Sequence, residues 1–198
     1  MKEQIIGALR ELLDIHSFSE ELMIIAMQAL GEPAADWQLY FVDLKDVVGQ
    51  FLRHIDEEML SQLKKLPNQE NSTSKKIKQA LMIRFTILKR HEIKAIAKFL
   101  ARPEATDLAI KSLYRTVDTI WYWAGDNATD FNFYTKRLIL ASIYSATIAY
   151  IILKERDQEA LSLFLDKELK LVGKINQAKN NLYEFKNGIK KFIDYGGC

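Results

Sequence analysis

The side chains best suited to catalysis in this chain are three histidines, His16, His54 and His91, and one cysteine, Cys198. Such groups do chemistry in company. HExxH puts two imidazoles on one helix face, and zinc sites draw Cys and His in pairs. None of the three histidines sits in either pattern, and none follows a glutamate by three residues, as in carboxylate di-iron bundles. His54, Glu57 and Glu58 share the i, i+3, i+4 face of a helix. One imidazole and two acids fall short of a ligand set, and a solvated charged face accounts for them as well. Cys198 is the last residue and has nothing beside it in sequence to activate its thiol. There is no G-x-S-x-G, no P-loop and no GxGxxG. The reading is therefore no enzyme, no metal and no cofactor.

Binding chemistry is another matter. Residues 113–137, LYRTVDTIWYWAGDNATDFNFYTKR, hold 7 of the chain's 21 aromatic residues and two of its three Trp. Trp121, Tyr122 and Trp123 are consecutive. Successive helical side chains step by about 100°, so these three fan around the helix and cannot share one core. The spacing assigns Tyr114, Val117 and Trp121 to the interior and Trp123 to a second surface. Asp130, Phe133, Tyr134 and Arg137 stand at 0, 3, 4 and 7 on the next helix, one face of its first turns. Two roles remain open for that face: a local one, with Asp130 capping and the aromatics stapling the loop, or a docking surface for a partner.

The order of residues in 113–137 resembles the Coq-nine family of coenzyme Q (ubiquinone) biosynthesis proteins, whose pattern is close to RTVD..WY.AGD.STDFNWYTKR. The match is dense over about 25 residues, and elsewhere the similarity is one of layout. The resemblance implies an all-α, TetR-like helical bundle with a helix-turn-helix-like head and a C-terminal amphipathic helix. It implies an isoprenoid quinone lipid as ligand and a di-iron demethoxyubiquinone hydroxylase as partner. The oxidative chemistry would belong to that hydroxylase. The face at 130–137 resembles the family's docking site for it, with Phe133 where the family has Trp.

The elements that must position these residues all read helical. Apolar periodicity and capping residues predict helices at roughly 2–15, 19–30, 33–41, 44–65, 75–101, 107–124 and 132–154, with another from about Gln158. Ser17 with Glu20 makes a capping box, Gly31 a stop, Asp43 a cap, and a break falls near His91. The boundaries divide the chain into a head and connecting helix at 1–66, a lipid-binding body at 67–165 and a basic amphipathic segment at 166–198. Few Gly and Pro, 8 and 3, suit long helices. Leu138–Leu153 is a 16-residue apolar run, shorter than the ~20 residues of a spanning helix. It reads as a buried central helix, with a membrane span as the alternative.

The helices at 75–101, 107–124 and 132–154 are apolar on more than one face. Met82, Phe85, Leu88, Phe99, Tyr114, Val117, Trp121, Tyr144 and Ile148 are the candidate walls of a lipid cavity, or else a solid core. Charge is segregated although the net is +2: residues 1–63 carry −8, 64–102 carry +9, 103–165 carry −2 and 166–198 carry +3. Oppositely charged segments can pack together, or the basic ones can face anionic lipid.

The head is unsuited to DNA. Between residues 17 and 46, Lys45 alone opposes six acids, the wrong sign for phosphate contacts. Trp37, Tyr40 and Phe41 then serve the core or a dimer. At the other end Leu171, Ile175, Ala178, Leu182, Phe185, Ile189 and Phe192 form one apolar stripe, with Lys174, Lys179, Lys186, Lys190 and Lys191 around it. Such a helix lies in a membrane interface or forms a dimer seam. The lysines, and the resemblance, favour the membrane through Ile175, Lys179, Leu182, Phe185, Lys186, Ile189, Lys190 and Phe192.

The combined expectation is a homodimer that binds a quinone precursor at a membrane and presents it to the hydroxylase, with no DNA partner. The alternatives are a TetR-type regulator with a small apolar effector and a helical interaction module. The N-terminus reads as an amphipathic helix without signal or transit character. That predicts a bacterial cytoplasmic protein peripheral on the inner membrane, or alternatively one on the matrix side of the mitochondrial inner membrane.

Overall fold

The computed structural model describes residues 1–67, 72–126, 131–154 and 157–171, the side chains of residues 131 and 132 excepted. Among these residues there are helices and no strands. The order is α1 (Lys2–Leu12), α2 (Glu20–Ala29), a 3-10 segment (Ala34–Leu39), α3 (Leu44–Lys64), α4 (Thr73–Ile87), α5 (Arg90–Leu100), a 3-10 turn (Pro103–Ala105), α6 (Thr106–Trp123) and α7 (Phe131–Leu153). A further helical stretch occupies 158–171.

Local sequence explains most boundaries. Asp43 caps α3, its carboxylate accepting the Asp46 N–H at 2.8 Å. Gly31 follows α2 in the left-handed region, φ 75°, where a Cβ is strained. One expected cap moves: Ser19 rather than Ser17 caps α2, accepting from the Leu22 N–H at 3.2 Å. The break expected near His91 falls at Leu88 and Lys89, whose extended backbone separates α4 from α5. There the Glu92 carboxylate turns back to accept the Lys89 N–H.

The segment expected as a third helix is a six-residue 3-10 turn. Its Trp37 is buried, as is Phe41 just after it. Both belong to the core of the head, as expected from their apolar character. Head and body share one interior. Phe18 packs edge-on against Phe51 of α3 and Phe99 of α5, at 5.6 and 5.9 Å between centroids. Arg10 of α1 reaches Glu92 at 2.7 Å, Glu58 at 2.9 Å and the Ile87 carbonyl at 2.6 Å, tying α1 to α5, α3 and α4.

The expectation of a buried central helix is corrected. Only about a third of the apolar stretch in α7 is buried. One face, with Leu140, Ile143, Tyr144, Thr147 and Ile151, packs inward. The other, with Tyr134, Leu138, Ser142, Ser145, Ala149 and Leu153, is exposed. The physical reason is that α5 and α6 cover one side only. By length and composition Phe133–Leu153 is also apolar enough to cross a membrane, at mean hydropathy 1.4. Arg90 anchors its C-terminal end, donating to the carbonyls of Ile151 and Ile152 at 3.0 and 2.9 Å, where the helix dipole favours a cation.

Candidate functional site

Three helices leave a cavity between them. Ile96, Ala97 and Leu100 of α5 form one wall, and Ala109, Ser112, Leu113 and Thr116 of α6 a second. Tyr144, Ser145 and Ile148 of α7 form the third, while Leu52 of α3 and Arg84 of α4 close the floor. The volume is about 230 Å³. The lining grades from fully buried Arg84 to exposed Ser145, which marks the mouth.

The floor is not apolar. Arg84 is 1% exposed and forms a buried ion pair with Asp56, which is also buried. Its Nε donates to the Tyr144 hydroxyl at 2.7 Å. Asp56 is shared further. Arg115 donates from Nε at 2.8 Å, and the Thr116 hydroxyl donates at 2.9 Å. Burial by itself weakens the hold of Arg84 on its proton. Tyr144 and Asp56 reverse this, so its pKa lies above the usual guanidinium value and it is a cation at any physiological pH.

At the corner between α6 and α7 the aromatic-rich segment folds on itself. Arg137 is buried and donates to Asp118 at 2.6 Å and to the Phe133 carbonyl at 3.2 Å. Its Nη1 lies 3.4 Å from Asp126, and its guanidinium stacks on the Phe133 ring, 3.3 Å from the centroid. Lys136 pairs with Asp126 at 2.6 Å, and the Trp121 indole N–H donates to the Lys136 carbonyl at 3.1 Å. Gly125 turns the chain at φ 90° with open space where a Cβ would stand. Gly125→Ala should therefore cost about 1 kcal/mol through backbone strain rather than a clash, read as a small drop in thermal midpoint.

These contacts redistribute the expected site residues. Of the cavity candidates, Tyr144 and Ile148 line it. Phe85, Leu88, Phe99 and Val117 are packed core, and Met82 is partly buried against that core. Tyr114 is 46% exposed, not interior. Trp121 is half-buried and braces the corner. Among the partner candidates Arg137 faces inward, because two carboxylates and an aromatic face hold it there. Phe133 is half-buried beneath it, and Tyr134 is exposed. Trp123 packs partly on the core, whereas Tyr122 is 77% exposed and is the outward member of the aromatic triplet. Asp130 lies outside the described residues, as do Ile175, Lys179, Leu182, Phe185, Lys186, Ile189, Lys190 and Phe192.

The sequence reading passed over Asp56 and Arg84. A signal existed for the second. Ile77, Ala80, Leu81, Arg84, Ile87 and Leu88 keep one helical face, and an Arg at such a core position needs a buried partner.

The sequence profile of the COQ9 family matches residues 106–176, which hold α6, α7 and most of two cavity walls. Over 190 residues, 91% of this chain, it is 26% identical to "Ubiquinone biosynthesis protein COQ9, mitochondrial" of Rattus norvegicus. Over 157 residues, 74% of the chain, it is 27% identical to the Bos taurus protein of the same name. The likeness is to the COQ9 family. The chain spans 59% and 49% of the length of those two relatives. The fold is TetR-like. The structure superposes with a TM-score of 0.70 on a TetR transcriptional regulator from Nitrosomonas europaea ATCC 19718, at 18% identity, covering 86% of this chain and 97% of that one.

Most of the described residues that carry this likeness are engaged in contacts within the chain. Arg115, Thr116, Asp118, Trp121, Gly125, Asp126, Lys136 and Arg137 all have structural work, in the Asp56 network or the corner. Tyr122 and Tyr134 are exposed.

Proposed function

We propose that this chain is a non-catalytic lipid-binding protein of ubiquinone biosynthesis, which takes an isoprenoid quinone precursor from a membrane and presents it to a hydroxylase. The observation that carries this reading is a ring-sized, largely apolar cavity lying mostly within the family-matched segment. A cavity of about 150 Å³ holds benzene, so about 230 Å³ accommodates one substituted ring. It does not accommodate a polyprenyl chain. The tail would leave past Ser145 and follow the exposed face of α7, along Ala149 or Leu138, toward the membrane. Tyr122 and Tyr134, exposed beside the corner, suit a partner surface of aromatic anchors. The relatives are named mitochondrial, which favours the mitochondrial-type location, on the matrix side of the inner membrane, over the bacterial cytoplasm.

The regulator reading is the weaker one. The place of a recognition helix is taken by a short 3-10 segment with a buried Trp37 and no basic residue. The test is mass spectrometry of lipids that co-purify with the protein from a ubiquinone-producing host. An isoprenoid quinone species should be enriched over bulk phospholipid. Its absence, with other lipids retained, overturns the reading.

A further inference from the structure

The cavity is described above by its shape, but its floor carries unused hydrogen-bonding capacity. The Tyr144 hydroxyl is 6% exposed as a residue and accepts from Arg84, so its oxygen is engaged as an acceptor. A phenol has one proton of its own to give, and that proton remains for a group inside the cavity. Accepting from a cation polarises the O–H and strengthens it as a donor. The charge count points the same way. Two guanidiniums, Arg84 and Arg115, share the single carboxylate of Asp56. The Arg115 Nη2 is buried without a partner. The network behind the floor therefore carries net positive charge, Arg84 being its member that lines the cavity and Arg115 lying outside the lining. Of the other polar groups deep in the lining, Ser112 donates to the Leu108 carbonyl at 2.7 Å and Thr116 donates to Asp56, while Ser145 stands exposed at the mouth.

From this we infer that the cavity selects a ring whose substituent is an acceptor oxygen, received by the Tyr144 hydroxyl and favoured by the Arg84 charge, with an anionic oxygen bound most tightly. This deepens the preceding reading by naming the head-group chemistry of the same cavity, and it rests on that reading for the tail. Tyr144 is the positioning donor and Arg84 the source of field. The apolar walls from Ile96, Leu100, Leu113 and Ile148 take the ring edge. A ring with no acceptor leaves the Tyr144 proton buried and unmet, which costs affinity.

Three soluble probes of similar volume test this on the whole chain: 4-butylbenzoate, 4-butylacetophenone and butylbenzene, measured by ligand-observed NMR or calorimetry. The expected order is benzoate, then ketone, then hydrocarbon, with about ten-fold in Kd between the first and last. Tyr144→Phe should bring the ketone and butylbenzene within about two-fold of each other, leaving benzoate only the part of its advantage that comes from charge, while keeping the fold by circular dichroism. Arg115→Gln, at a half-buried position, should reduce the advantage of benzoate over the ketone and leave that of the ketone over butylbenzene. Equal binding of all three probes to the unaltered protein overturns the proposal, as does no binding, or a preference for the ketone over butylbenzene that survives Tyr144→Phe. Co-purified isoprenoid lipid together with equal probe binding would sink this inference alone and leave the lipid-carrier reading standing.

Discussion

Asp56→Ala should lower the thermal midpoint by roughly 10 °C, the largest loss expected from any single side chain here. Arg84 cannot leave its place, because its guanidinium is enclosed by α3, α4 and α7. Removing the carboxylate strands that charge with only the Tyr144 hydroxyl. It also removes the acceptor of Thr116 and the partner of Arg115. Breaking a buried pair in this way costs about 3–5 kcal/mol, and a chain of this size loses about 2–4 °C per kcal/mol. The double variant Asp56→Ala with Arg84→Met should recover part of the loss, since the uncompensated charge is then gone. A midpoint within 2 °C of the parent for Asp56→Ala would show that the network is not holding α3, α4, α6 and α7 together.

Arg137→Ala comes second, at about 3 kcal/mol. The Asp126 side chain is 6% exposed and loses one of its cations, while Asp118 loses its partner but reaches water. The Phe133 ring also loses the guanidinium stacked on it. Unlike the first case, the damage should be local. Hydrogen exchange should quicken in the first turns of α7 and the last turn of α6, with α1 to α3 little changed. Arg137→Lys should rescue only in part, because an ammonium can neither stack as a plane nor fork between two carboxylates. Uniform loss of protection across the whole chain would refute the local assignment.

These two residues also show how far the amino-acid order could be read. Most helices and two of the caps were legible because they are local: Asp43 and Gly31 act on residues within one turn. The dense aromatic segment was legible as important, but its orientation was not. Arg137 fell on a face for which a local role and a docking role were both open, the docking role being what the family resemblance implies. Its partners, Asp118 and Asp126, stand 19 and 11 residues back, and only the turn at Gly125 brings them round. Asp56 was harder still, since it meets Arg84, Arg115 and Thr116 across 28 to 60 residues. No periodicity within one helix records such a meeting. Nor could the half-bare state of α7 be inferred, because composition reports how apolar a helix is and not how many neighbours arrive to cover it.

The long reach of Asp56 bears on how this chain can be dissected. The segment recognisable by relationship, 106–176, holds Arg115 and Thr116 but not the carboxylate they bind, nor Arg84 on the cavity floor. Phe18 and Arg10, far upstream, lock the remaining helices to one another. The portion that the family profile matches is thus not a free-standing foldon. Cut out alone, it would keep its signature and lose the anvil against which that signature is shaped.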